Sequence, residues 1–232
     1  MMRIRKSAER GRTRLDWLDS FHSFSFGSYV DPQYMNFSVL RVINDDRVVA
    51  GKGFAPHHHR DMEIITYVLE GALEHKDSLG NSSVIRAGEV QRMSAGIGIT
   101  HSEFNSSNQE QVHFLQIWIE PESKGLSPSY EQRCFGVELG PGELRIIASP
   151  DGRNSSLRVH QDVVVLLGRV GANSGLRYEI APGRQAYVHL ARGTAVVNGN
   201  PLDAGDAAAV TDEPRVLLEG GTDAEALVFD LP

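Results

Sequence analysis

Residues 51–105 have the sequence GKGFAPHHHRDMEIITYVLEGALEHKDSLGNSSVIRAGEVQRMSAGIGITHSEFN. Alternate residues of a β-strand face the same side, so His57 and His59 can point together into a barrel while His58 points outward. His101 and Glu103 have the same spacing in a second segment. These residues predict a β-barrel in which three imidazoles and one carboxylate converge on one metal site.

The types of these four side chains narrow the chemistry of the site. Three neutral imidazoles and a carboxylate suit a divalent first-row transition metal, whereas Ca²⁺ and Mg²⁺ prefer more oxygen ligands. The chain has one cysteine, Cys134, which excludes a thiolate site and an intramolecular disulfide. Iron, manganese, cobalt, nickel, copper and zinc all remain chemically possible. Four protein ligands would leave positions open on such a metal, which is typical of a catalytic site.

The rest of the chain contains short segments rich in β-branched and aromatic residues, separated by Gly and Asn turns. No long stretch has the 3.6-residue periodicity of a helix, although 129–135 could form a helical turn or two. The sequence therefore predicts an all-β fold with little helix. The clearest candidate strands are 37–43, 63–69, 112–119, 163–167, 186–190 and 226–231.

A faint internal repeat suggests two barrels in one chain. Residues 66–71 followed by 86–90 are similar to 186–193 followed by 203–207. Pro, Gly and Ser cluster in 121–128, so we predict an N-terminal barrel over 1–122 and a C-terminal barrel over 123–232. The second half has no His-x-His pair, and a metal site is expected only in the first.

Composition and charge limit the possible partners. Hydrophobic residues make up 41% of the chain, enough for a core, and 23 Lys and Arg against 30 Asp and Glu give a net charge of −7. This acidic balance disfavours direct binding to nucleic acid or to an anionic membrane. With one cysteine and no apolar stretch of membrane-spanning length, a cytoplasmic location is expected.

The spacing of the candidate ligands resembles the two motifs of the cupin superfamily. Within that superfamily the chain resembles the pirin family, and more closely the bacterial pirin-like proteins with quercetinase activity. The first 120 residues carry most of the resemblance, and the second half adds only its ending, 229–232. The matching blocks are 24–27 with 31–32, 62–71, 93–103 and 116–119, and the motif positions are Gly51, His57, His59, Glu63, Gly71, Gly88, His101 and Asn105.

The resemblance implies a bicupin architecture of two jelly-roll-like β-barrels, with one divalent metal per chain in the first. The expected ligands are His57, His59, His101 and Glu103, and iron is the expected metal ahead of Mn, Co, Ni, Cu or Zn. Glu63 occupies the position of the acidic ligand in generic cupins. Because pirin-like proteins use the carboxylate two residues after the third histidine, Glu63 is expected behind the ligands, or as an alternative ligand.

The resemblance also implies an activity. We expect a dioxygenase that uses O₂ to cleave the heterocyclic ring of a flavonol such as quercetin, with release of carbon monoxide. Glu103 is the expected catalytic base, and Phe54, Met93 and His113 are candidates to line the substrate pocket. Two alternatives stay open: an iron-dependent regulatory module that binds protein partners, as described for eukaryotic pirins, and a cupin oxygenase with another small aromatic substrate.

The remaining histidines need no functional role. A single histidine is more often a surface residue or a hydrogen-bonded core residue than a ligand. This interpretation applies to His22, His58, His75, His160 and His189.

Overall fold

The structure is a computed structural model that describes residues 1–136 and 139–232. Strands make up 59% and helix 3%, which confirms the predicted all-β class. Among the described residues, two 3-10 helices cover Ser7–Glu9 and Arg153–Ser155. The described residues form twenty strands: β1 Met2–Arg5, β2 Gly11–Arg14, β3 Leu18–His22, β4 Leu40–Val48, β5 Gly53–His59, β6 Glu63–Glu70, β7 Ala72–Asp77, β8 Ser82–Arg86, β9 Glu89–Ser94, β10 Ile99–Asn105, β11 Val112–Ile119, β12 Ser129–Cys134, β13 Leu144–Ser149, β14 Leu157–Arg158, β15 Val164–Val170, β16 Leu176–Glu179, β17 Gln185–Val197, β18 Asn200–Asp203, β19 Ala207–Val210 and β20 Arg215–Leu231.

The described residues divide into two compact units. The N-terminal unit consists of Gly11–Gly136 and Leu157–Gln161. The C-terminal unit consists of Met1–Arg10, the described part of Val137–Ser156, and Asp162–Pro232. The domain limits 1–122 and 123–232 stay a prediction from the sequence.

Two antiparallel sheets build the N-terminal unit. The larger has the strand order β12-β9-β6-β11-β4-β3-β2, and the smaller has the order β5-β10-β7-β8. Leu73 and Ile85 of the smaller sheet pack in one apolar cluster with Val68, Val112 and Phe114 of the larger. The inner faces of the two sheets therefore enclose a core, and polar residues on those faces are removed from solvent.

The segment that could have formed a helical turn is a strand, so the prediction of helix within 129–135 is wrong. Strand β12 pairs antiparallel with β9, from Ser129 opposite Ser94 to Cys134 opposite Glu89. The edge of β9 that does not pair with β6 offers hydrogen-bond partners to every second amide of β12, and this tertiary pairing overrides a weak local tendency.

The C-terminal unit has its own sheet and core. Its strands follow the order β1-β19-β17-β20-β15-β13, with β16 also paired to β20 and β18 to β17. The apolar cluster includes Leu166, Val188, Leu190, Val216 and Val228, all buried. None of the helices in the described part of the chain has the length and apolar character needed to cross a membrane.

Strands β5 and β10 approach closely at Gly53. A Cβ added there would lie 2.2 Å from the backbone oxygen of Glu103 and 2.5 Å from Cα of Phe104. Because both are backbone atoms, β5 must move away from β10 to admit a methyl group. We expect Gly53→Ala to lower the free energy of unfolding by about 1–3 kcal/mol in urea denaturation. Gly140→Ala is the control, because its Cβ would meet only the Glu143 side chain, at 3.4 Å; equal effects of the two changes would contradict the argument.

Candidate metal centre

The pairing of β5 with β10 brings the histidines of the two segments together. His101 lies directly opposite His57, and a register shift follows between His101 and Glu103. His57 and His59 are half-buried, His58 between them is exposed, and His101 and Glu103 are buried. The strand alternation places the first two imidazoles on one face, and the paired strand supplies the third.

The three imidazoles form a compact triangle. The ring centroids are 4.8 Å apart for His57 and His59, 4.5 Å for His57 and His101, and 4.9 Å for His59 and His101. Burial, followed by the neighbouring imidazoles of His101 and His57, lowers the pKa of His59 to about 3. Burial, followed by the imidazoles of His57 and His75, lowers the pKa of His101 to about 3. The rings of His59 and His101 are therefore neutral near pH 7, which is the form that binds a cation.

The hydrogen bonds of these rings leave nitrogen lone pairs that can bind a metal ion. The Nδ1 atom of His57 donates to the carbonyl oxygen of Ala55 at 2.8 Å, so its Nε2 carries the lone pair. The Nε2 atom of His101 is buried and has no hydrogen-bond partner in the described part of the chain. One ligand atom from each of His57, His59 and His101 lies within 4.8 Å of the other two. This donor set fits a divalent transition metal.

Glu103 lies next to the triangle and is held by three side chains. Its Oε1 accepts hydrogen bonds from Thr66 Oγ1 at 3.3 Å and Gln91 Nε2 at 3.1 Å, and its Oε2 accepts one from Gln116 Nε2 at 2.8 Å. Burial raises the pKa of Glu103, although the nearby imidazoles and the Thr66 hydroxyl oppose this shift. A ligand atom of Glu103 lies within 4.8 Å of His75 and His101. The carboxylate is thus fixed, with one lone pair of Oε2 outside these hydrogen bonds.

A cavity opens beside His57, His59 and Glu103. Its lining combines large aromatic rings with polar side chains, as expected of a small-molecule site. The Trp118 ring also contacts the His59 ring, with centroids 5.1 Å apart. The other lining residues are Thr13, Leu18, Ser20, His22, Phe26, Asn44, Asp46, Phe54, Gln116 and Trp118.

Of the three residues expected to line the substrate pocket, one lines this cavity and two do not. Phe54 lines the cavity and packs edge-on against Trp17. Met93 is fully buried in an apolar cluster with Ile64. His113 is outside the cavity lining, and its Nε2 lies 2.7 Å from Oδ1 of Asp45.

Glu63 contacts an imidazole, but not one of the three that form the triangle. Its Oε2 accepts a hydrogen bond from Ser94 Oγ at 2.9 Å and one from the His160 amide at 3.3 Å, and Nδ1 of His160 lies 3.4 Å from Oε1. The carboxylate is 1% exposed, so these partners satisfy a buried charge.

Two histidines interpreted as surface or core residues lie beside the centre. His22 lines the cavity, with its nitrogens bonded to Asn44 Oδ1 at 2.7 Å and Thr13 Oγ1 at 2.9 Å. His75 is fully buried on β7, adjacent to His101. Both have hydrogen-bond partners, which agrees with a core residue, but both contribute to the surroundings of the site.

The side chains that hold Glu103 are not of the types that the sequence marks as metal ligands. Thr66, Gln91 and Gln116 lie opposite one another on three adjacent strands of the larger sheet. Each occupies an inward position on a strand whose other inward residues are mostly apolar. A single polar residue on such a face is the sequence signal that could have revealed them, because buried polar groups need partners.

Comparison with known proteins identifies the family of the chain. Residues 3–119 match the family described as Pirin, and residues 146–231 match the one described as Quercetinase C-terminal cupin domain. The chain belongs to the pirin family. It is 46% identical to the quercetin 2,3-dioxygenase of Escherichia coli K12 over 232 residues, which is all of this chain and 99% of that protein.

Solved structures of relatives share the fold. The crystal structure of the bacterial pirin YhhW from Escherichia coli in complex with nickel(II) is 46% identical, covers all of this chain and 99% of its own, and gives a TM-score of 0.95. A quercetin 2,3-dioxygenase from Acinetobacter baumannii is 22% identical with a TM-score of 0.75, over 95% of this chain and 83% of its own, and supports the fold alone. Pirin membership and the site support an enzyme of the metal-dependent cupin oxygenase type.

Proposed function

We propose that this pirin is a dioxygenase that opens the heterocyclic ring of flavonols such as quercetin. Both atoms of O₂ enter the product and one ring carbon leaves as carbon monoxide, so no external reductant is needed. The observation that carries the proposal is the triangle of imidazoles with a buried carboxylate, next to a cavity lined by aromatic rings. The name of the Escherichia coli relative supports the choice of substrate.

The residues that would hold the metal are His57, His59, His101 and Glu103. Iron is the proposed resident ion, and elemental analysis of protein purified without added metal tests that choice. When bound, a divalent transition metal would supply Lewis-acid and redox chemistry.

The chain itself supplies substrate binding and proton transfer. The rings of Phe26, Phe54 and Trp118 line the cavity and suit a flat aromatic substrate. Oε2 of Glu103 has one lone pair outside its hydrogen bonds, so the carboxylate either holds the metal or takes the proton of the substrate hydroxyl, and the two roles alternate.

The direct test uses the metal-free protein reloaded separately with Fe(II), Mn(II), Co(II), Ni(II), Cu(II) or Zn(II). With quercetin and O₂, we expect loss of the flavonol absorbance band, release of carbon monoxide and two ¹⁸O atoms in the product from ¹⁸O₂. The metal-free protein is the control. If no metal supports loss of the band, the flavonol proposal fails, and another small aromatic substrate or the regulatory alternative gains support.

Replacing Glu103 with glutamine separates its two proposed roles. The amide oxygen can still bind a cation but has almost no affinity for a proton. We expect kcat to fall by about 10²–10⁴-fold at saturating metal, because general-base catalysis contributes about that much. The control is Glu131→Gln, because Glu131 is a partly exposed carboxylate that contacts Arg92. If Glu103→Gln recovers full kcat when metal is saturating, the base assignment is wrong and only a ligand role remains.

A further inference from the structure

Behind the imidazole triangle, β7 carries a further histidine, His75, and an aspartate, Asp77, whose side chains are completely buried. Nδ1 of His75 lies 3.4 Å from Nδ1 of His101, and Nε2 of His75 lies 3.1 Å from Oδ2 of Asp77. The pairing of β7 with β10 sets this arrangement, because Asp77 lies opposite His101 and His75 lies opposite Glu103. Three side chains thus form a continuous hydrogen-bonded row that ends at the candidate metal centre.

The chemistry of Asp77 fixes the direction of the row. Its Oδ1 accepts hydrogen bonds from the amides of Leu79 and Asn81 at 2.9 and 3.0 Å, and its Oδ2 accepts one from Asn81 Nδ2 at 2.9 Å. A carboxyl group that accepts this many hydrogen bonds is in its acceptor-only form. The Nε2 atom of His75 must therefore donate to Asp77.

The positions of the other ring protons follow from the proton on Nε2 of His75. In its neutral form the His75 ring has one N–H, on Nε2, so its Nδ1 is an acceptor and Nδ1 of His101 must donate to it. The proton on Nδ1 leaves the lone pair of His101 on Nε2. That atom is the buried nitrogen for which the described residues offer no hydrogen-bond partner.

Packing keeps the His75 ring in place. The ring of Tyr130 stacks on it with centroids 4.7 Å apart and an angle of 28° between the planes. The hydroxyl of Tyr130 is bonded to Ser83 Oγ at 2.6 Å and donates to Gln132 Oε1 at 2.9 Å. The His75 ring cannot turn over to reverse the direction of these hydrogen bonds without breaking its packing against Tyr130.

We infer that Asp77 and His75 are positioning residues, which hold His101 in the Nδ1–H tautomer and so direct its Nε2 lone pair toward a metal ion. The inference rests on the proposed metal site. It assigns to Asp77 and His75 the place behind the ligands that was expected of Glu63. Partners of this kind behind a histidine ligand are worth about 10–100-fold in metal affinity.

The wild-type protein tests the tautomers directly. In protein labelled with ¹⁵N-histidine, long-range ¹H–¹⁵N correlation spectra at pH 7 identify which nitrogen of each ring is protonated. In the metal-free and Zn(II)-loaded protein, we expect His75 to be protonated at Nε2 alone and His101 at Nδ1. A His75 ring protonated at Nδ1, alone or together with Nε2, would overturn the inference.

Two variants test the consequence for metal binding, with Co(II) as the probe. His75→Phe keeps a ring against Tyr130 but cannot accept the hydrogen bond from His101, and we expect Co(II) affinity to fall by about 10–100-fold. Asp77→Asn retains Oδ1 for the two turn amides, but its NH₂ group would donate to His75 and reverse the row. An Asp→Asn change behind a catalytic histidine acts in this way in serine proteases, so a loss at least as large is expected.

Ser83→Ala is the matched control, because it removes a hydrogen bond of Tyr130 and leaves the row intact. Affinity is measured by competition with a chelator, the visible Co(II) spectrum reports the coordination, and circular dichroism reports the fold. Wild-type affinity in both His75→Phe and Asp77→Asn would contradict the inference. If the wild-type protein binds no Co(II), the proposed metal site fails instead, and the tautomer spectra still decide the direction of the row.

Discussion

Replacing His101 with alanine is expected to remove metal binding and flavonol turnover together. His101 belongs to both groups of side chains that could hold a metal, one with His57 and His59 and one with His75 and Glu103. It is 2% exposed, and its removal takes one nitrogen donor from each of these groups. The affinity should fall by more than about 100-fold, since partners behind a ligand alone account for roughly 10–100-fold.

The measurement combines metal content after dialysis with the rate of loss of the flavonol band. The control is His58→Ala, because His58 is exposed and lies between two candidate ligands on the same strand. Binding and turnover should stay within about twofold of the wild-type values in this control, as surface substitutions rarely have large effects. A His101→Ala protein that lacks metal and keeps full turnover would refute the proposed function.

The grouping of the ligands can be predicted from sequence because it depends on local geometry. The two-residue period of a strand places His57 and His59 on one face whatever the rest of the chain does. His101 and Glu103 are both buried although the pairing register shifts between them. The spacing alone does not show that β5 and β10 are neighbours in the sheet, and their pairing is seen only in the structure.

The surroundings of the ligands depend on partners that are distant in the sequence. Thr66, Gln91 and Gln116 come from three strands and meet one carboxylate from the opposite sheet. His75 and Asp77 have the same two-residue spacing as the ligand pairs, so a common face was predictable. Their role follows only from the pairing of β7 with β10, which no local pattern specifies.

Replacing Asp46 with asparagine is expected to stabilise the metal-free protein at alkaline pH. Burial raises the pKa of Asp46 from its ordinary 3.8 to about 7; a hydrogen bond from Ser20 opposes this shift, and the charges of Asp45 and Glu103 add to it. Between pH 4 and 7 the folded state therefore holds a proton that the unfolded state has released. Stability falls as the pH rises through this range, and the full penalty applies above about pH 7.

Asparagine avoids this penalty because it carries no charge at any of these pH values. From the size of the shift, the gain in the free energy of unfolding is up to about 4 kcal/mol at pH 8 and shrinks toward zero near pH 4. Urea denaturation across this range measures it, with the exposed Asp16→Asn as the control. A gain that does not change with pH would contradict the ionisation argument. Asp46 lines the cavity, and its Oδ1 has no hydrogen-bond partner among the described residues. A carboxyl group that lines a cavity and weakens the fold at neutral pH is expected to be retained for binding rather than for stability.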